Sequence, residues 1–350
     1  MKFIHIADVH LGADPDAGSA RRQKRNRELW DTFEKVIGIC RREKTDLLLI
    51  AGDLFHRQPL LRELKEVNAM FASLDATRVV LIAGNHDYIR RDSYYRTFSW
   101  SGNVAFLGEE QLSKVEYPEL SLAVYGLSYH SREIREALYE ETEPSDRQRY
   151  RILLAHGGDE EHIPIHKKEL LSMGYDYIAL GHIHKPGAPD ARMIYAGALE
   201  PIDSGDTGPH GYVEGELSEN GLKTRFVPAA TREYRKLQIP VTEETTGYAL
   251  SEKIRSAIEA EGVEDIYRIR VTGQRDPDIR FDLRAMDPFG NIVELTDETR
   301  PAYDFERLMA QNKGNFLGDY IRSFQGAKKD SLEYQALCDG VQALLETGNQ

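Results

Sequence analysis

Apolar positions along the first hundred residues fall into two periods. Uninterrupted runs at 47–51 (Leu-Leu-Leu-Ile-Ala) and 78–83 (Arg-Val-Val-Leu-Ile-Ala) read as strands covered on both faces. Ahead of the first run, Leu29, Phe33, Val36, Ile37 and Cys40 recur at helical spacing and predict a helix over 28–43. Leu61, Leu64, Val67, Met70 and Phe71 predict a second helix over 60–74. A strand over 2–7 precedes them. This β-α-β-α-β opening predicts a layered α/β domain whose strand ends face one side.

The pattern weakens from 88 to 110, where Tyr94, Tyr95, Phe98 and Trp100 suit core or lid packing better than stacking on bases. Strands are expected at 104–107, 121–125, 151–155, 175–180, 193–196 and 211–217, with a charged helix over 132–141 and a polar loop over 197–209. Near 228–232 the chain changes character. A strand (235–241), a helix (248–261) and strands at 266–272, 279–284 and 292–295 predict a small α+β domain, and the chain past Pro301 reads as helical. The expected division is therefore 1–230, 231–300 and 301–350.

Composition fits a soluble globular protein, with 41% hydrophobic residues and no apolar run near the roughly 20 residues of a membrane span. The first residues enter a strand with no signal-peptide architecture, and two distant cysteines, Cys40 and Cys338, suit a reducing cytoplasm. The net charge is −13, yet residues 1–100 carry 17 basic and 14 acidic residues. The basic run Arg21, Arg22, Lys24, Arg25 and Arg27 is either a solvated helix start or a phosphate contact.

The chemistry gathers at the strand ends. The first strand runs into Asp8-Val9-His10, the second into Gly52-Asp53, the third into Gly84-Asn85-His86-Asp87. Two later strands close with His156 and with Gly181-His182-Ile183-His184. In an extended segment, residues i and i+2 share a side, so Asp8 and His10 can reach one ion together. A lone Gly-Asp is more often a helix cap, and a lone His more often structural. Eight such residues at glycine-flanked strand ends are hard to explain as packing. A nitrogen–oxygen donor set of this size, without thiolates, suits two divalent ions, with Mn²⁺ first and Fe²⁺ or Zn²⁺ as alternatives.

The order Asp-x-His, Gly-Asp, Gly-Asn-His-Asp, His, Gly-His-x-His resembles the calcineurin-like metallophosphoesterases. Asp8-Val9-His10-Leu11-Gly12, Gly52-Asp53-Leu54-Phe55-His56, Tyr175-Asp-Tyr-Ile-Ala-Leu-Gly-His-Ile-His184 and Tyr195-Ala-Gly-Ala-Leu-Glu-Pro201 look like the SbcD-type DNA repair nucleases and their YhaO-like relatives. The stretch from Ala198 to Asp206 departs from the usual pattern. The resemblance implies one ion on Asp8, His10 and His184, a second on Asn85, His156 and His182, and Asp53 bridging them. It also implies that His86 acts on the scissile phosphate with Asp87 orienting its ring, and that His56 positions DNA.

The implied fold is a metallophosphoesterase β-sandwich flanked by helices, with an α+β capping domain and a helical, ATPase-binding tail. The implied activity is metal-dependent DNA hydrolysis, exonucleolytic and also endonucleolytic, beside an SbcC-like coiled-coil ATPase, as a homodimer and away from membranes. Two alternatives stand: a phosphodiesterase of nucleotides or small phosphoesters, and a DNA-end-binding subunit without catalysis.

Overall fold

A computed structural model describes residues 1–15, 22–141, 144–329 and 331–348. The chain divides into two compact units, Met1–Tyr234 and Arg235–Gln350.

The first unit begins with β1 (Lys2–Ile6), α1 (Arg22–Glu43), β2 (Leu47–Ala51), α2 (Leu61–Ala72), β3 (Arg78–Ile82) and β4 (Val104–Phe106). It continues with β5 (Ser113–Tyr117), β6 (Leu122–Gly126), β7 (Tyr150–His156), α3 (Lys167–Ser172), β8 (Tyr177–Gly181), β9 (Gly187–Asp190), β10 (Met193–Tyr195), β11 (Gly211–Ser218) and β12 (Gly221–Pro228). Two six-stranded sheets result, in the orders β12-β11-β1-β2-β3-β4 and β5-β6-β7-β8-β10-β9. In the first sheet β1 to β4 are parallel and run out to the β4 edge, with β11 and β12 antiparallel at the other side; in the second, β6, β7, β8 and β10 are parallel between antiparallel edge strands β5 and β9.

The uninterrupted apolar runs are explained by what covers each face. On β2 and β3, Leu47, Leu49, Ala51, Val80 and Ile82 face the second sheet, meeting Val124, Ile152, Leu154 and Ala179. The alternate residues Leu48, Ile50, Val79 and Leu81 face helices and meet Phe33, Val36 and Cys40 of α1 and Leu64, Val67 and Phe71 of α2. The outer face of the second sheet (Leu153, Ala155, Ile178, Leu180) is closed by Tyr129, Tyr139 and Leu170.

Several expectations give way here. The segment 132–141 forms no α-helix. Only Leu138–Glu140 makes a single 3₁₀ turn, and Ile134 instead bridges to His162. Strands β5, β9 and β12 had no strong pattern, because their side chains are largely solvated. Helix α1 starts six residues before 28 and takes in the basic run from Arg22 onward, Arg21 lying outside the described residues. A buried ionic network accounts for that extension. Arg25 donates to Glu28 (2.6 Å) and to the Pro201 carbonyl (2.6 Å), and Arg232 donates to Glu28 through Nε (2.8 Å). Glu200 accepts from Thr32 (2.6 Å) and from the Thr231 amide (2.6 Å), so α1 is tied to two distant segments.

The second unit contains β13 (Tyr234–Val241, entering from the boundary), α4 (Gly247–Glu261), β14 (Ile266–Arg275), β15 (Ile292–Asp297) and the short β16 (Arg300–Pro301). The sheet order is β13-β14-β15, with β16 beside β14. Leu250, Ile254 and Ile258, one helical turn apart on α4, cover Ile239, Val241, Ile269 and Val271. The expected strand at 279–284 is replaced by a 3₁₀ turn at Leu283–Ala285. Helices α5 (Phe305–Gln311), α6 (Phe316–Ser323) and α7 (Leu332–Gly348) have a separate small core around Ile321, Leu337 and Val341. Among the described residues no helix is long and apolar enough to cross a membrane.

The α1 network makes acid stability testable. Burial raises the Glu28 carboxyl, but hydrogen bonds from Arg232 and Arg25 outweigh it and hold it below its ordinary 4.5. A depressed carboxylate contributes stability that is complete above its unfolded value and lost as pH falls through its folded value. Urea midpoints of the wild type should therefore exceed those of Glu28→Gln near neutrality, with the gap closing below about pH 4.5. A gap that stays constant from pH 7 to pH 3 would be inconsistent with this.

Candidate metal centre

The parallel strands of both sheets end on one side, and their terminal residues leave the sheets in an unusual conformation. Asp8 (φ 48°), His10 (φ 50°), Asp53 (φ 49°) and His182 (φ 94°) all have left-handed backbones, which cost free energy for residues with a Cβ. Asp8 and His10 therefore converge through backbone turning and not through strand alternation. The loop 8–11 runs along 52–54, with His10 N donating to Asp53 O (3.0 Å) and Leu11 N to Leu54 O (2.9 Å).

Two donor groups meet around Asp53. In the first, His10 Nε2 lies 3.1 Å from His184 Nε2, and Asp8 joins the same cluster. In the second, Asn85 Oδ1 lies 2.9 Å from His156 Nε2 and 3.3 Å from His182 Nδ1. Asp53 Oδ2 is 3.8 Å from His10 Nε2 and 3.5 Å from His156 Nε2, between the two groups. Its Oδ1 accepts from the His86 amide at 2.9 Å. Asp8, His10, Asp53 and His156 are buried.

The ring nitrogens facing outward have partners. His156 Nδ1 is 2.9 Å from the Ala51 carbonyl, His182 Nε2 is 2.7 Å from Asp159 Oδ2, and His184 Nδ1 is 3.1 Å from Asp206 Oδ2. These partners accept hydrogen bonds, which leaves the inward nitrogen of each ring as a lone pair. Inward nitrogens and the Asn85 oxygen thus face one another as acceptors with no donor between them. A cation satisfies that arrangement.

The charges agree. Burial lowers His184 and His156, but Asp206 and Asp8 around the first ring, and Asp53 beside the second, outweigh it and push both up to about 9. Burial pushes Asp8 up to about 6, against the pull of His156 and His184. The site's carboxylates demand positive charge among them, and the donor set fits divalent ions held by nitrogen and oxygen.

His86 and His56 stand at the same place. His86 Nδ1 lies 3.2 Å from the His56 carbonyl, and His56 Nδ1 lies 3.3 Å from His10 Nδ1. Asp87 does not orient the His86 ring. Its carboxylate accepts from Gly84 N (2.8 Å), Phe55 N (3.2 Å) and the Tyr95 hydroxyl (2.8 Å), so it pins the two loops that carry Asp53 and Asn85. Arg25 is likewise no phosphate contact, since it is buried in ion pairs with Glu28 and Glu200. Lys24 is exposed, and Arg21 and the side chain of Arg22 lie outside the described residues.

Asp159, His162 and Asp206 were not anticipated; Tyr95 was expected in core or lid packing, but not as a hydrogen-bond partner of Asp87. The first three sit on loops that only the fold brings to the centre. Asp206 ends the stretch from Ala198 whose departure from the usual pattern was the one available signal.

The profile of the calcineurin-like phosphoesterases matches residues 1–186, a little over half of the chain. The chain belongs to the calcineurin-like phosphoesterase family. Among curated relatives, this phosphoesterase is 27% identical over 278 residues to the uncharacterized metallophosphoesterase YhaO of Bacillus subtilis, covering 73% of this chain and 66% of that one. It is 26% identical over 313 residues to the DNA double-strand break repair protein Mre11 of Haloferax volcanii, covering 85% and 67%. It thus spans about two thirds of the length of these relatives. A solved dimetal phosphatase from Danio rerio aligns at 15% identity with a TM-score of 0.42, covering 65% of this chain and 99% of that one.

Asp53→Ala, purified with Mn²⁺ and measured by elemental analysis, should lose bound metal, because the carboxylate between both groups is gone. Retention of two equivalents would remove Asp53 from the bridging position.

Proposed function

We propose that the chain is a dinuclear-metal-dependent phosphodiesterase that hydrolyses DNA during repair, acting as an exonuclease. The reading is supported by the two donor groups sharing Asp53, by His56 beside His10 and His86, and by relatives named as DNA double-strand break repair proteins. Asp8, His10 and His184 would hold one ion, Asn85, His156 and His182 the other, with Asp53 between them. When bound, two divalent ions, Mn²⁺ first among the candidates, supply an activated water and offset the charge developing on the phosphate.

The chain's own residues do the rest. Asp159 and Asp206 fix the ring orientations of His182 and His184. The His56 carbonyl takes the Nδ1 hydrogen of His86, so His86 Nε2 is the nitrogen left for the phosphate or the leaving oxygen. In this proposal the His56 ring, packed against His10 and His86, helps position the DNA strand. Residues 231–300 are, in the same reading, a capping domain of the kind such nucleases carry, and the helical tail 301–350 is the segment that binds an SbcC-like coiled-coil ATPase. A homodimer working in the cytoplasm completes the reading. One observation favours the second reading, a phosphodiesterase of small phosphoesters: Arg25 is withdrawn from the basic run into the interior of a chain of net charge −13.

Purified protein with Mn²⁺ should degrade linear duplex DNA, with or without the ATPase. Turnover of bis-p-nitrophenyl phosphate with no loss of duplex or single-stranded DNA under either condition would replace the nuclease by the small-phosphoester enzyme. His86→Ala should keep two metal equivalents while turnover falls by about 10²–10⁴-fold. Loss of metal in that variant would place His86 among the ligands.

A further inference from the structure

Two carboxylates outside the strand-end motifs share one design. Asp159, on the loop after β7, reaches His182 Nε2 with Oδ2 (2.7 Å) and His162 Nδ1 with Oδ1 (2.9 Å). Its Oδ1 also accepts from the amides of Glu161 and His162 (both 2.9 Å). Asp206, on the loop between β10 and β11, reaches His184 Nδ1 with Oδ1 (3.2 Å) and Oδ2 (3.1 Å). It accepts from the amides of Ile202 (3.0 Å) and Asp203 (3.1 Å). Each carboxylate is therefore held by two backbone amides of its own loop before it touches a ring.

The two contacts use opposite ring nitrogens. Asp159 takes Nε2 of His182 and leaves Nδ1 toward Asn85 Oδ1, at 3.3 Å. Asp206 takes Nδ1 of His184 and leaves Nε2 toward His10 Nε2, at 3.1 Å. A carboxylate on the distal N–H of an imidazole fixes its tautomer and ring plane and raises its basicity as a ligand. The two rings belong to different donor groups. His182 sits with Asn85 and His156, and His184 with Asp8 and His10.

We propose that Asp159, backed by His162, and Asp206 are positioning residues that each set the affinity of one metal position and leave the other alone. This rests on the two-ion reading above. The loops 157–163 and 197–209 then act as separate controls over the two halves of one centre. His162 has a defined part: its Nδ1 lies across both Asp159 oxygens, 2.9 Å from Oδ1 and 3.0 Å from Oδ2, and so braces the carboxylate whose Oδ2 meets His182 Nε2. The rings of His162 and His182 lie 4.4 Å apart, which keeps the three side chains in one packed group.

The experiment is stepwise Mn²⁺ titration of the full chain by calorimetry, with electron paramagnetic resonance to read the coupled ion pair. Wild type should bind two equivalents. Asp159→Asn and Asp206→Asn should each weaken one equivalent by about 10–100-fold and leave the other within error. Assignment comes from a background that removes one position. Added to Asn85→Ala, Asp206→Asn should weaken the remaining ion, whereas Asp159→Asn should change nothing. Asp159→Glu and Asp206→Glu, which keep a carboxylate, should recover part of the affinity, as a purely structural role for the loop would not require. If wild type fails to bind two ions, the two-ion reading falls. If it binds two and the Asn variants leave both affinities unchanged, or weaken both equally, the separate-control proposal is overturned while the two-ion reading stands.

Discussion

Everything at the centre depends on how closely the two sheets approach at the ends of their parallel strands. Glycine permits that approach. A Cβ added at Gly181 would meet the Ala51 carbonyl oxygen, one at Gly52 would meet the His156 ring, and one at Gly84 would meet Asp53. Ala51, at the end of β2, is itself the acceptor for His156 Nδ1 at 2.9 Å. A contact between layers thus also sets the orientation of a ligand. Wider separation would leave Asp53 near the first-sheet donors and remove His156 from its reach.

The conformational cost of this convergence is concentrated. Of the non-glycine residues with positive φ among those described, four are Asp8, His10, Asp53 and His182. They persist because each is tied from several directions, as when both oxygens of Asp8 accept from the His182 amide, at 3.1 and 2.9 Å. Asp87 performs the same task from behind, joining two loops and the Tyr95 hydroxyl. Strain held at a site by surrounding hydrogen bonds is the expected form of a preorganised centre.

Much of this was legible in the chain because strands carry their own punctuation. An apolar run followed by a small residue and then a polar one marks a strand end in one dimension; Asp53, Asn85 and His182 follow a glycine, and Asp8 and His156 follow an alanine. Asp159 and Asp206 do not end such a run. They are loop aspartates among 58 acidic residues, and only the folded loops reveal which imidazole each one meets. Arg25 misled for a related reason: four neighbouring cations suggest solvent, and its burial depends on Glu28, Glu200 and Pro201, the last two some 175 residues away in sequence. Strand β12 alternates Leu222, Thr224 and Phe226 with Lys223 and Arg225, too weakly for a confident strand without its partner β11.

That partner strand sets how much chain the first unit needs. The family profile ends at residue 186, yet β1 pairs with β11, whose register places Lys2 opposite Glu216 and His5 opposite Val213. A fragment stopping at 186 would leave β1 as an open, apolar sheet edge, the kind of surface that pairs with other chains. Extending to Pro228 closes that edge but strands Glu28 with one of its two arginines. Only a fragment that reaches Arg232 closes both the sheet and the ion network, so the smallest self-sufficient piece ends close to Tyr234.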